Sequence, residues 1–232
     1  MSDVNFRNFD TREALDAALA NDVALALSEA VRARREATLA LSGGSTPHGV
    51  LALLGARELP WDRVRVTLVD DRWVPTDHAD SNERMVHEKL LRGPASAASF
   101  VSLHTPADHP RDAVVTIEER LGAFRTFDYL MLGMGPDGHF ASLFPGAGNL
   151  AAGLSLDGDA ACIAVDPPLA PHARISMTLP RIADTRRLVL HLTGEEKRAV
   201  FEQALEGRDA RALPIAAVIG LPAPPLNVFW AP

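Results

Sequence analysis

Seven apolar runs of strand length, each nearly continuous rather than alternating, constrain the fold of this chain more than any other feature. They are "TLALS" at 38 to 42, "VRVTLVD" at 64 to 70, "DYLMLG" at 128 to 133, "ACIAVD" at 161 to 166, "RLVLHL" at 187 to 192, "IAAVIG" at 215 to 220 and "LNVFW" at 226 to 230. Continuous apolar character is what strands need when both faces of their sheet are covered. Segments of helical period lie between them: 11 to 34 starting at Asp10-Thr11, 47 to 55 opening with Pro47, 81 to 92 opening with Ser81, 111 to 122, and 195 to 206 ending at Gly207. This alternation implies the α/β class, a doubly wound, mostly parallel sheet with helices on both faces.

A chain of 232 residues is long enough to bury an independent core. The Gly/Ala/Ser-rich stretch "PGAGNLAAGLSLDGDA" at 145 to 160 is the best linker candidate, yet it is short and strand signals continue beyond it. One domain over 1 to 232, with this stretch as a surface loop, is therefore the expectation. The 30 acidic against 23 basic side chains give a net charge of −7, which argues against a general nucleic-acid or anionic-membrane surface. An anionic ligand would need a local site.

The single cysteine, Cys162, excludes an intrachain disulfide framework, and its surroundings "AACIAV" read as a buried strand rather than a reactive thiol. The opening "MSDVNFRNFD" has no basic region followed by an apolar one, and no stretch approaches the roughly 18 apolar residues of a membrane span. A cytoplasmic location is expected, and no motif sets an oligomeric state.

"TLALSGGSTPHGVLALL" reads as strand, tight loop and helix. Gly43 and Gly44 let the backbone turn and approach a ligand, while Ser45 and Thr46 add hydroxyls at a helix entrance that favours anions. The stretch is neither a Walker A loop nor a dinucleotide fingerprint, and it fits either a phosphate cradle or an ordinary turn with a Ser or Thr cap. "VDDRWVP" delivers Asp70, Asp71 and Arg72 at the carboxyl end of a strand, as ligand groups or as a surface ion pair. Lys197, in "HLTGEEKRAVF", falls in the first turn of a helix, where the dipole disfavours a cation unless an anion lies nearby.

"DYLMLGMGPDGHF" repeats the pattern of strand and glycine loop. If Asp137 caps a following helix, His139 sits in its first turn, where the helix dipole keeps the ring neutral as a general base requires. Asp137 could also orient the ring. Spacing alone leaves His139 either a base or a buried structural histidine. The other histidines, at 48, 78, 87, 104, 109, 172 and 191, form no HExxH or close ligand cluster, so no metal is expected, and no GxSxG nucleophile elbow is present.

Together "LSGGSTP", "VDDRWVP", "DSNERM", "GMGPDGHFASLFPG", "RISMTLP" and "LTGEEK" resemble, in order and approximate spacing, the 6-phosphogluconolactonases. These belong to the sugar-phosphate isomerase/deaminase superfamily that includes glucosamine-6-phosphate deaminase. The likeness runs from about residue 38 to 230. It implies hydrolysis of 6-phosphoglucono-1,5-lactone, a small phosphorylated sugar lactone, to 6-phosphogluconate in the oxidative pentose phosphate pathway, without an organic cofactor. By position, Gly43, Gly44, Ser45 and Thr46 look like the phosphate loop and Arg72 and Lys197 like its cationic partners. His139 looks like the base, with Asp137 and Asp70 as acidic catalytic candidates, and Arg174 in "RISMTLP" like a further substrate contact. The family more often has Asp-Glu-Arg where this chain has Asp70-Asp71-Arg72, which puts the role of Asp71 in question.

Two rivals accompany this resemblance. In the deaminases, a Glu five positions after the corresponding His assists it, whereas this chain has Phe144 there, and a phenylalanine cannot relay a proton. Related folds also serve as sugar-phosphate sensors of bacterial repressors, but those carry a DNA-binding helix-turn-helix. Ahead of its first glycine loop this chain has the signals for about one strand and one helix.

Overall fold

The computed structural model describes residues 4–232. Six of the seven apolar runs form strands, and the strands make two sheets rather than one. In chain order the strands are β1 (Val4–Asn8), β2 (Ala37–Leu41), β3 (Val64–Leu68), β4 (Asp70–Arg72), β5 (Ser99–Val101), β6 (Tyr129–Leu132), β7 (Cys162–Val165), β8 (Arg174–Met177), β9 (Leu188–Thr193) and β10 (Leu226–Ala231). Seven of them make a wholly parallel sheet in the order β1-β10-β9-β6-β2-β3-β5. The other three, β4-β8-β7, form a small antiparallel sheet. The expected doubly wound architecture is thus present, but "ACIAVD" belongs to the small sheet, not the parallel one.

The helices are α1 (Arg12–Arg34), α2 (His48–Gly55), α3 (Asn82–Lys89), α4 (Val114–Gly122), α5 (Leu150–Leu154), α6 (Leu179–Ala183), α7 (Glu195–Gly207) and α8 (Ile215–Ile219). Helix α1 begins where the sequence indicates: the Thr11 hydroxyl accepts from the Ala14 N–H at 3.2 Å, and Arg35 closes the other end with φ of 68°. Helix α4 starts later than the periodicity suggested, because Pro110–Asp112 forms a 3-10 turn first. The 145 to 160 stretch contains α5 rather than being loop throughout.

"IAAVIG" is the one run assigned to the wrong element. It forms α8, opened by Pro214 and packed against α6 and α7. A short apolar run buried on nearly all sides carries no period that separates strand from helix, and the preceding proline was the signal that decides.

Residues of β2, β6 and β9 are all buried, and one hydrophobic cluster joins the parallel sheet to Cys162, Val165, Ile175 and Met177 of the small sheet. Burial pushes the Cys162 thiol up to about 12, helped by the nearby Glu118 carboxylate, so the thiol is inert. From β2 the chain winds outward through β3 to β5, then returns to β6 on the other side of β2 and continues through β9 to β10. The winding direction reverses between β2 and β6. In an open parallel sheet such a switch point leaves a crevice beyond the carboxyl ends of the two strands, with diverging loops on either side. At the opposite end Asp128 ties the pair together, accepting from the Thr38 N–H at 2.9 Å and from Arg34 Nη2 at 2.5 Å.

Candidate active site

The two loops that diverge at the switch point are the two glycine loops singled out in the sequence. A cleft of about 320 Å³ lies between them, lined by Gly43, Gly44, Ser45, Thr46, Asp70, Arg72, His139, Arg174 and Lys197 among others. Asp137 stands just behind His139. Of the candidate residues, only Asp71 is neither in nor against this cavity.

The first loop lines the cleft with its backbone. Gly44 has φ of +84°, and a Cβ on Gly43 would fall inside the side-chain amide of Asn82. Among the described residues no acceptor takes the N–H of Gly43, Gly44, Ser45 or Thr46, and no side chain caps α2. The ordinary turn with a Ser or Thr cap is thus not what forms here. The loop leaves several amide donors and two hydroxyls facing the cleft, as an anion site requires.

Three cations, Arg72, Arg174 and Lys197, line the same cleft. Strands β4 and β8 pair antiparallel with Arg72 directly opposite Arg174, an arrangement that is unfavourable for like charges unless an anion sits near them. Arg72 Nη1 donates to the Asp80 carbonyl at 2.7 Å and Arg174 Nη2 to the Pro171 carbonyl at 3.2 Å, so both guanidinium groups are anchored by backbone oxygens rather than by carboxylates. Arg174 is buried and its Nε has no partner among the described residues. Burial and the adjacent Arg72 hold its pKa below the usual value, against the opposing pull of Asp70 and Asp71. Lys197 forms no ion pair among the described residues, and burial followed by the Arg12 charge lowers its pKa too. The Glu196 charge opposes that shift without forming an ion pair.

Asp71 does not reach the cleft. Its carboxylate accepts from the backbone N–H groups of Asn82 at 2.7 Å, Glu83 at 3.0 Å and Arg72 at 2.8 Å. It therefore caps α3 and fixes the turn that presents Arg72. Burial pushes its carboxyl up to about 7, while those three N–H donors pull it down. Asp70 faces the cleft, is buried, and accepts the Ser142 hydroxyl at 2.5 Å. Asn82, which the sequence reading had only as part of "DSNERM", donates to the Asp70 carbonyl at 3.0 Å and packs on Gly43, joining the arginine strand to the glycine loop.

The second loop holds His139, but not on a helix. Residues 133 to 149 contain turns and no helix, so Asp137 caps nothing and the helix-dipole argument does not apply. The ring is instead fixed by direct contact: its Nδ1 lies 2.5 Å from Asp137 Oδ1, which also accepts the His139 backbone N–H at 3.3 Å. Burial raises the Asp137 pKa, but the hydrogen bond and charge of His139 outweigh it and leave the carboxyl below its usual value. An ionised carboxylate only accepts, so Nδ1 carries a proton, and in the neutral ring the lone pair is then on Nε2. The loop is braced by Gly135 N–H to the His139 carbonyl at 2.9 Å and by Ile215 N–H of α8 to the Gly138 carbonyl at 2.8 Å. A Cβ on Gly135 would meet the imidazole and Asp137.

Among the described residues no three His, Cys, Asp or Glu side chains converge as a metal site, and no helix is long and apolar enough to cross a membrane. A parallel sheet whose switch point holds two glycine loops, with an antiparallel flap bringing arginines to it, defines a site for a small anionic ligand. Residues 10–229 match the family model described as glucosamine-6-phosphate isomerases/6-phosphogluconolactonase, and the chain belongs to that family. It is 40% identical over 218 residues to the 6-phosphogluconolactonase of Pseudomonas putida, covering 94% of this chain and 89% of that protein. It is 39% identical over 229 residues to that of Rhizobium meliloti, covering 98% and 99%. The crystal structure of a 6-phosphogluconolactonase from Shewanella baltica superposes with a TM-score of 0.96 at 42% identity, covering 99% of this chain and 98% of that one.

Proposed function

We propose that this chain is a cytoplasmic 6-phosphogluconolactonase, a single catalytic domain that hydrolyses 6-phospho-D-glucono-1,5-lactone to 6-phospho-D-gluconate with His139 as general base. The observation that carries the mechanism is the 2.5 Å contact between His139 Nδ1 and Asp137 Oδ1, which leaves Nε2 free beside a cleft lined with unpaired cations. In this reading the phosphate lies against the N–H groups of Gly43 to Thr46 and is held by Lys197, with Arg72 and Arg174 as further positive charge.

A lactone carbonyl is already electrophilic, so the barrier lies in activating water and stabilising the oxyanion. Nε2 takes a proton from water as its oxygen bonds to C1, and the carbonyl pair moves onto oxygen. Collapse of the tetrahedral intermediate breaks the bond from C1 to the ring oxygen, which receives the proton back from Nε2. Asp137 stabilises the imidazolium formed between the two steps. The phosphate grip supplies positioning energy remote from the reacting bond.

The identity of Phe144 favours this chemistry over deamination. Its ring is buried and packs on His139, so no carboxylate stands at the position where a deaminase has its assisting Glu. The testing experiment is proton release from freshly generated 6-phosphogluconolactone, corrected for spontaneous hydrolysis. Rapid release that depends on the protein is expected, and it also separates an enzyme from a sensor that merely binds the phosphosugar.

A further inference from the structure

Strand β9 sets a histidine among apolar residues, ahead of its terminal Thr193. Leu188, Val189, Leu190 and Leu192 are buried hydrocarbons, as a central strand needs, but between them stands His191, 3% exposed. Both ring nitrogens are buried without a hydrogen-bond partner among the described residues, and the nearest carboxylate oxygen, Asp16 Oδ1, is 3.8 Å from Nε2. A buried polar ring without partners is destabilising, so its presence in a core strand points to a role outside the packing.

Its place supplies one. Strand β6 ends at Leu132, and in the ladder with β9 its Leu132 lies opposite Leu190. His191 is therefore one step beyond the paired region, level with the start of the loop that leads to His139, and it lines the same cleft. Burial, then the charges of Arg12 and Lys197, push its pKa down to about 3, so it enters neutral reactions as a hydrogen-bonding group and not as a cation. Arg12 is itself tied to the strand end, donating from Nη2 to the Thr193 hydroxyl at 2.8 Å.

We propose that His191 is a substrate-positioning residue that donates a ring N–H hydrogen bond, from the floor of the cleft, to the phosphate held between the Gly43 to Thr46 loop and Lys197. This rests on the reading above of where the phosphate lies. A neutral donor beside fixed cations adds direction to a site that charge alone would leave loose, because a hydrogen bond depends on angle and an ion pair hardly does.

The test uses inorganic phosphate as the probe, measured by calorimetric titration and by competitive inhibition of lactone hydrolysis. His191→Leu should weaken phosphate binding about 10- to 100-fold and raise KM for the phosphorylated lactone in parallel, with a much smaller change in kcat. An Asn amide reaches the place of Nδ1 and a Gln amide that of Nε2, so one of His191→Asn and His191→Gln should recover most of the loss. Unchanged phosphate affinity in His191→Leu overturns the assignment while leaving the hydrolase reading intact, and so does an equal loss in all three variants, which is a packing effect. A wild type that binds no phosphate overturns both. If the Leu variant fails to fold, the ring nitrogens of His191 in the wild type are followed by NMR. Their resonances should shift as phosphate is added, and an unmoved signal at saturation contradicts the proposal.

Discussion

The ring of Phe144 lies against that of His139, with centroids 4.3 Å apart and planes inclined at 35°. Phe144 also lies under the Arg174 guanidinium, whose carbon is 5.8 Å from the ring centroid. One apolar side chain thus separates the histidine from the arginine and shapes the wall where a deaminase has a carboxylate. The wild type should release no ammonia from glucosamine 6-phosphate. Phe144→Glu should lose lactonase activity without gaining much deaminase activity, since burial raises the new carboxyl's pKa and the ring contact is lost. A coupled ammonia assay checks both. Wild-type ammonia release at a rate comparable to lactone hydrolysis contradicts the assignment.

Lys197 forms no ion pair among the described residues, and burial and the Arg12 charge outweigh the pull of Glu196 on it, so its charge is open to a substrate anion. Lys197→Ala should raise KM for the phosphorylated lactone well before it lowers kcat, and unphosphorylated gluconolactone should be a very poor substrate for the wild type. Steady-state rates on the two lactones decide this. Equal efficiency on both removes the phosphate grip from the account.

Gly135 is a positioning glycine, because any Cβ there meets the His139 ring and Asp137. Gly135→Ala should lower kcat by an order of magnitude or more as the base is displaced, a sensitivity of about 10²-fold per ångström being typical. Inhibition by inorganic phosphate should stay near the wild-type value, since the other glycine loop is untouched. A variant that loses both equally has been damaged globally.

Asp71 makes stability depend on pH. Its folded-state pKa, pushed up to about 7 by burial against three N–H donors, lies above the ordinary value of 3.8. The folded chain therefore holds a proton that the unfolded chain releases. This contribution is fully present below about pH 4 and is lost as pH rises through about 7. Thermal melts from pH 4 to 8 should show the wild type losing stability relative to Asp71→Asn over that window. Asp71→Ala, which takes the acceptor from the Asn82, Glu83 and Arg72 amides while Ser81 still caps Arg84, should be less stable by about 1–3 kcal/mol.

Much of this was legible in the sequence because it rests on local signals. The runs that became β2, β3, β6, β9 and β10 are long and apolar, as buried parallel strands must be. The glycine loops follow directly from β2 and β6, so His139 and Gly43 to Thr46 fell where strand ends put ligands. Strands β4 and β8 were not legible, since Asp70–Arg72 is three charged residues and Arg174–Met177 opens on an arginine. Their pairing, which sets the two arginines face to face, is purely tertiary. The partner of Asp137 was foreseen but its cause was not: a turn in the chain, and not a helix, holds the histidine. Asn82 acts through its approach to Gly43 and His191 is hidden inside an apolar run, so neither announces itself by composition.

The most direct measurement is kcat for His139→Asn on freshly generated 6-phosphogluconolactone, with spontaneous hydrolysis subtracted and a thermal melt on the same preparation. The account predicts a loss of about 10²- to 10⁴-fold in kcat, the usual contribution of a positioned base, with little change in melting temperature. Wild-type kcat in a folded variant, or a loss that merely follows the unfolded fraction, contradicts His139 as the base.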